Sequence, residues 1–157
     1  MNILKPTLAD IPELLGLWKK QYDYHHDIDT IYYVAYSEDL KDEFEKYLTK
    51  AINDDDPRIL VAKDDAKIVG FITFKEDEES YFDTQIKKFG VVIELYVSDQ
   101  SRAQGIGKAL MREAENFFAS KELTDVKLFC SSFNTNTLNF YSHIGYVQRQ
   151  SVLFKKI

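Results

Sequence analysis

Val91-Val92-Ile93-Glu94-Leu95-Tyr96-Val97, followed by Arg102-Ala103-Gln104-Gly105-Ile106-Gly107-Lys108, decides how the rest of the chain is read. The first run is β-branched and aromatic and has the length of a buried strand. Downstream, Ile106, Leu110, Ala114 and Phe117 recur every three or four residues, the period of an amphipathic helix. The glycines therefore lie where a strand hands over to a helix N-terminus. Glycine lets a ligand approach the backbone closely, and a helix start offers unpaired N–H groups and the positive end of a dipole. Together these make a phosphate site.

Two phosphate loops are excluded by their own letters. A Walker A loop needs glycine five residues before its Gly-Lys and Ser or Thr after it. Gly107-Lys108 has Arg102 in the first place and Ala109 in the last. A dinucleotide fingerprint needs a third glycine, and Leu110 stands there.

Elements extend on both sides of this unit. Asn2 to Lys5 reads as a short strand, and Asp10-Ile-Pro-Glu13 as a capping box opening a helix with Ile11, Leu14, Leu15 and Trp18 on its apolar face. Residues 22–36 break that period and are expected to form a loop or broken helix. Ser37 caps a second helix, whose buried stripe is Leu40, Phe44, Tyr47, Leu48, Ala51 and Ile52. Residues 58–63 and 67–75 read as a hairpin, and Gly70 marks a bulge or a close backbone contact. After a polar loop at 76–88 come the strand and glycine loop, a helix to about Lys121, a strand at 125–130 and a helix at 135–144. Gly145 ends that last helix, and 146–157 is expected to return as strand. The alternation around the glycine loop implies a βαβ unit in a mixed α/β sheet.

The 157 residues read as one domain, 1–157, large enough for a real core, and 45% hydrophobic with 29% charged residues is the balance of a globular protein. A net charge of −6 argues against nucleic-acid binding. Neither a membrane span nor a signal-peptide layout is visible, so a cytoplasmic location is the default expectation. Cys130 is alone, which excludes an internal disulfide, and its place in a β-like run reads as a small buried hydrophobe.

Arg102-x-x-Gly105-x-Gly107, after a strand ending Glu-Leu-Tyr-Val, resembles the acyl-CoA pyrophosphate loop of the GNAT family, the GCN5-related N-acetyltransferases. A second block agrees with it: Asn134, six residues, Tyr141, three residues, Gly145, Tyr146. The resemblance spans residues 91 to 146. It implies a mostly antiparallel central sheet of six to seven strands with about four helices, and acetyl-CoA as acyl-donor co-substrate. It also implies that the backbone from Arg102 to Lys108, through Ala103, Gln104, Gly105, Ile106 and Gly107, holds the pyrophosphate. By the same resemblance Leu95, Tyr96 and Val97 bind the pantetheine arm as an added strand, one N–H polarising the thioester carbonyl. Asn134 becomes a cofactor contact, and Tyr141 both meets the cofactor and serves the departing thiolate.

Glu94 is the candidate general base, because a primary amine of pKa about 10.4 must lose a proton before it attacks. It reads equally as a structural carboxylate. Tyr24, His25, Asp27 and Tyr33 are candidate acceptor-binding residues, since in the family the segment joining the first two helices helps to form that site. His25 or His26 is an alternative base. No metal is expected.

The implied activity is N-acetylation of a primary amine by direct attack on the thioester. The acidic stretches 23–29 and 76–79 favour a small cationic amine such as a polyamine. A protein N-terminus or lysine remains an alternative acceptor, and a non-catalytic acyl-CoA-binding module is an alternative of another class. A homodimer is an expectation from the family.

Overall fold

Ile59, Val61, Ile68, Phe71 and Tyr96 pack on one side of a single sheet, and Ala62, Val69, Ile72, Phe74 and Val92 on the other. The structure, a computed structural model, describes residues 1–157. Its sheet consists of β1 (Asn2–Leu4), β2 (Arg58–Asp64), β3 (Lys67–Glu78), β4 (Lys88–Val97) and β5 (Val126–Leu128), neighbours in that order. The first three junctions are antiparallel, and β4 and β5 run parallel. Helices α1 (Ile11–Ile28) and α2 (Glu38–Asp54) cover one face, and α3 (Ile106–Ser120) and α4 (Thr135–His143) the other. Trp18 of α1 stacks on Phe44 of α2 and on Phe71 of β3, each at 5.0 Å between ring centroids. One aromatic joint thus ties two helices to the sheet.

The decisive irregularity is in β4. Thr73 pairs with Glu94 and Phe74 with Val92, so Ile93 is an extra, bulged residue. A bulge bends its strand and shifts its alternation. Meanwhile β5 stops at Leu128, opposite Val92. From there on, β4 has a neighbour on one side only. Ser98 N donates to Val69 O at 2.9 Å. Alternation then directs the amides of Glu94 and Tyr96 toward β3, and those of Leu95 and Val97 toward the open side. Gly70 makes the expected close approach, because a Cβ there would stand 2.8 Å from Tyr96 O. The neighbouring β3 bulge falls at Val69, since Ala62 pairs with Gly70 and Lys63 with Ile68.

Several expectations are corrected. The sheet has five strands, not six to seven. Residues 146–157 form no regular element, and Val147, Val152, Leu153, Phe154 and Ile157 are exposed. β5 is three residues long, in place of the expected 125–130, and presents too short an edge to template another strand. Helix α1 runs on through 22–28, because Leu14, Trp18, Gln21 and His25 continue one stripe at helical spacing. Its last turn carries His25 and His26 at the negative end of the dipole. The capping box involves Thr7 and Asp10, while Glu13 accepts from Ile68 N at 2.9 Å. The polar loop shortens to 79–87, since Glu76 pairs with Gly90 and Glu78 with Lys88 in the hairpin.

Candidate active site

Where β4 and β5 part, a groove of about 420 Å³ opens. Leu95, Tyr96 and Val97 line it from β4, Arg102, Ala103, Gly105, Ile106, Gly107 and Lys108 from the loop and start of α3, and Asn134 from the start of α4. Gly105 takes φ +80° as N-cap of α3, a left-handed position that glycine occupies without a Cβ penalty. Ala109 N makes the first bond of the helix, to Gly105 O at 2.9 Å, and the amides of Ala103 to Lys108 have no acceptor within the chain. They are the free donors at the positive end of α3. The Arg102 guanidinium is engaged locally, 2.7 Å from Asp99 Oδ1 and donating from Nε to Val97 O at 3.2 Å. It braces the loop against the end of β4, so the cradle is mainly backbone. The Gln104 side chain turns away and donates to Gln100 O at 3.3 Å. Free amides, the Lys108 cation and an open strand edge fit a ligand with a pyrophosphate and an amide-bearing arm, as in acetyl-CoA.

Asn134 is 5% exposed. It is the N-cap of α4, its Oδ1 accepting from Thr137 N at 3.3 Å. Tyr24 Oη, from α1, donates to the same oxygen at 3.1 Å. Tyr24, His25 and Gln21 also line the groove, so α1 supplies its acceptor end.

Glu94 faces α1. Gln21 Nε2 donates to Glu94 Oε2 at 2.5 Å, and Gln21, only 6% exposed, lines the groove while Glu94 does not. Burial pushes the Glu94 carboxyl from 4.5 up to about 7, and the Gln21 hydrogen bond holds it back. Glu94 keeps some accessible surface, but enclosure by its neighbours outweighs that exposure. Tyr22, Tyr33 and Tyr47 lie near enough for its charge to add to the rise that burial causes in their phenols. His25 stacks on Tyr33 at 5.2 Å between centroids, and burial lowers its pKa, which keeps the imidazole neutral near pH 7.

Tyr141 is buried on α4, its ring 5.3 Å from Phe140 and 5.7 Å from Tyr146. Phe140, not Tyr141, meets the groove, against Gly107. Burial raises the Tyr141 phenol, with Cys130 and then Glu94 adding to the shift. Cys130 is half-buried, and burial raises its thiol as well. Of the remaining candidates, Tyr33 stands behind His25, and Asp27 is exposed, 4.0 Å from His26 Nδ1. Glu76–Glu78 pair with the start of β4. From Gly90 to Val97 is seven strand steps, roughly 24 Å, so those acids lie far from the groove.

Sequence reading missed Gln21, Ser101, Asn136, Thr137 and Phe140 as groove residues. A signal existed for Gln21 alone: it is a polar residue on the apolar stripe of Leu14 and Trp18.

A strand left open on one side beyond its bulge, beside free amides at a helix start, is an arrangement suited to an acyl-CoA-dependent transferase. The chain belongs to the acetyltransferase (GNAT) family, whose model matches residues 22–146. It is 25% identical over 142 residues to an uncharacterized N-acetyltransferase of Archaeoglobus fulgidus, covering 90% of each chain. Among solved structures it resembles a mutant of the BH1408 protein from Bacillus halodurans, with a TM-score of 0.87, 18% identity, and 100% of this chain and 99% of that one covered. It also resembles a predicted acetyltransferase from Clostridium acetobutylicum solved with acetyl-CoA, with a TM-score of 0.74, 16% identity, and 99% and 95% covered. The protein is thus an acetyltransferase of the GNAT class, a family that transfers the acetyl group of acetyl-CoA to amine acceptors. No helix is long and apolar enough to cross a membrane.

Proposed function

We propose that the chain acetylates a small cationic primary amine of the polyamine kind, with Glu94 as general base. The observation that carries this is the recessed Glu94–Gln21 pair at the α1 end of the groove, with tyrosines around it. A primary amine with pKa about 10.4 arrives protonated at neutral pH, and a carboxylate with pKa about 7 is matched to receive that proton. Gln21 stands in the way of direct contact, so the proton travels through a water. The Tyr24 ring and the His25 face of the His25–Tyr33 stack offer aromatic surface suited to a cation. The Tyr24–Asn134 hydrogen bond ties α1 to α4, which favours a compact acceptor over an extended peptide.

Acetyl-CoA supplies the acyl group as a thioester. The free amides from Ala103 to Lys108, with the Lys108 charge, hold its pyrophosphate. The outward amides of Leu95 and Val97 take the pantetheine arm, and one of them polarises the thioester carbonyl. Tyr141 is buried beside the groove-lining Phe140, and its role as hydrogen-bond donor to the departing sulfur rests on the family resemblance and requires the thioester end to reach past Phe140. Its raised phenol pKa stays above that of a thiol, about 8.5, so it acts as a donor that keeps most of its proton.

The test is free-CoA release from acetyl-CoA against polyamines, aminoglycosides, amino acids and short peptides. Release with polyamines at a kcat/KM well above that with peptides is expected. Release with peptides alone overturns the small-amine assignment.

A further inference from the structure

We infer that Tyr24 is a positioning residue for acetyl-CoA: it locks the Asn134 amide so that Nδ2 points into the groove as a hydrogen-bond donor. The orientation follows from the partners. Thr137 N can only donate, so the atom it meets at 3.3 Å must be the oxygen of Asn134. Tyr24 Oη meets that same oxygen at 3.1 Å and therefore donates too. With both of these bonds on Oδ1, the amide cannot flip without setting its NH2 group against a backbone N–H. Nδ2 is left with no partner in the chain, on a residue 5% exposed that lines the groove. An unpartnered amide donor on a residue lining a ligand groove is satisfied by a carbonyl acceptor, and the arm of acetyl-CoA carries amide carbonyls. Tyr24 belongs to α1, which otherwise serves the acceptor end. Its hydroxyl nevertheless acts on the cofactor side, through Asn134. It has this role whatever the acceptor amine is, provided that acetyl-CoA occupies the groove.

Two variants isolate the effect. Tyr24→Phe keeps the ring and removes only the hydroxyl. Asn134→Asp keeps an oxygen to cap α4 and to accept from Tyr24, since Asp caps as well as Asn, and it replaces the Nδ2 donor with a second acceptor. By calorimetry, Tyr24→Phe should weaken acetyl-CoA binding about fivefold, and Asn134→Asp at least about tenfold. In the Asn134→Asp background, Tyr24→Phe should add less than about twofold, because the donor it positions is gone. In turnover with whichever amine supports it, Tyr24→Phe should raise the KM for acetyl-CoA by a larger factor than it changes the KM for the amine. Overturning results are an unchanged Kd for acetyl-CoA in Tyr24→Phe, or independent, multiplying effects in the double variant. A raised KM for the amine with the acetyl-CoA Kd unchanged would place the hydroxyl on the acceptor instead. Failure of the polyamine assignment would leave these acetyl-CoA affinities untouched, so the two ideas stand or fall separately.

Discussion

Glu94→Gln should make the protein more stable and nearly inactive, and both effects should follow from one carboxyl. In the folded chain burial raises this carboxyl from 4.5 to about 7, against the smaller opposing pull of Gln21. A raised carboxyl pKa means that the folded state prefers the proton. Below about pH 4.5 Glu94 is protonated in both folded and unfolded chains and costs nothing. As pH climbs toward about 7 the unfolded chain ionises freely and the folded one resists, so stability falls through that window and levels off above it. At pH 8 the full cost is roughly 3 kcal/mol, and at pH 5 about 1 kcal/mol. The higher figure is an upper bound, because Glu94 retains some exposure. A glutamine is neutral throughout and still accepts from Gln21 Nε2. For a chain of 157 residues, the variant should therefore melt about 2 °C above wild type at pH 5 and roughly 6–10 °C above it at pH 8. In wild type, kcat should rise with pH through about 7, and in the variant that limb should vanish with a loss of about 10²–10⁴ in kcat. Thermal melts at several pH values, paired with a pH–rate profile, read both effects. A pH-independent difference in Tm would show that Glu94 is not a desolvated carboxyl. A limb that survives in Glu94→Gln and disappears in His25→Gln would move the base to the neutral imidazole on the groove wall.

Tyr141→Phe should lower kcat by about 10–10²-fold with the acetyl-CoA Kd unchanged, and unaltered turnover would remove Tyr141 from the chemistry. Gly105→Glu should weaken acetyl-CoA at least about tenfold, because it puts negative charge beside the pyrophosphate at a left-handed φ of +80°. Wild-type affinity in calorimetry would refute the backbone cradle. Gly90→Ala should destabilise by about 1–3 kcal/mol, since its Cβ would meet the Phe118 ring at 2.4 Å. Adding Phe118→Leu should recover part of that loss in a thermal melt, and purely additive losses would show that the ring is not what Gly90 accommodates.

The glycine loop and its helix were legible because their physics is local. Glycines, a β-branched strand before them and a 3.6-residue period after them each constrain only their own neighbourhood. Ser37 was legible as a cap for the same reason, whereas Asn134 entered only through the family resemblance as a cofactor contact, and its place as N-cap of α4 came from the structure. What the sequence did not carry was pairing. The tail at 146–157 has strand-forming letters, but a strand needs a partner edge, and β5 ends after three residues. Gln21 escapes a search for apolar periodicity because it is a polar residue on the stripe of Leu14 and Trp18, and that stripe runs on past Tyr22 to His25. The acids at 76–79 misled because acidity was read without place, and the hairpin carries them to the opposite end of β4 from the groove.

The facing of Glu94 shows most clearly why sequence alternation alone could not settle the chemistry. Val92 packs toward α3. In a regular strand Glu94, two residues on, would face the same way, and its carboxylate would be buried among Leu110, Met111 and Phe118 with nothing to hold it. The bulge at Ile93 inserts one residue and reverses the phase. Glu94 and Tyr96 then face α1 and α2, where Gln21 is in reach. The same bulge stands where β4 loses β5 as a neighbour, beyond Val92, leaving the Leu95 and Val97 amides directed to the open side. One extra residue therefore accompanies both halves of the site: the open edge that receives the acyl donor, and the carboxyl turned toward the helix that meets the amine. Because the two are set by one backbone irregularity, a change that regularised β4 should abolish acetyl-CoA binding and the pH-dependent stability of Glu94 together, and loss of only one would separate them.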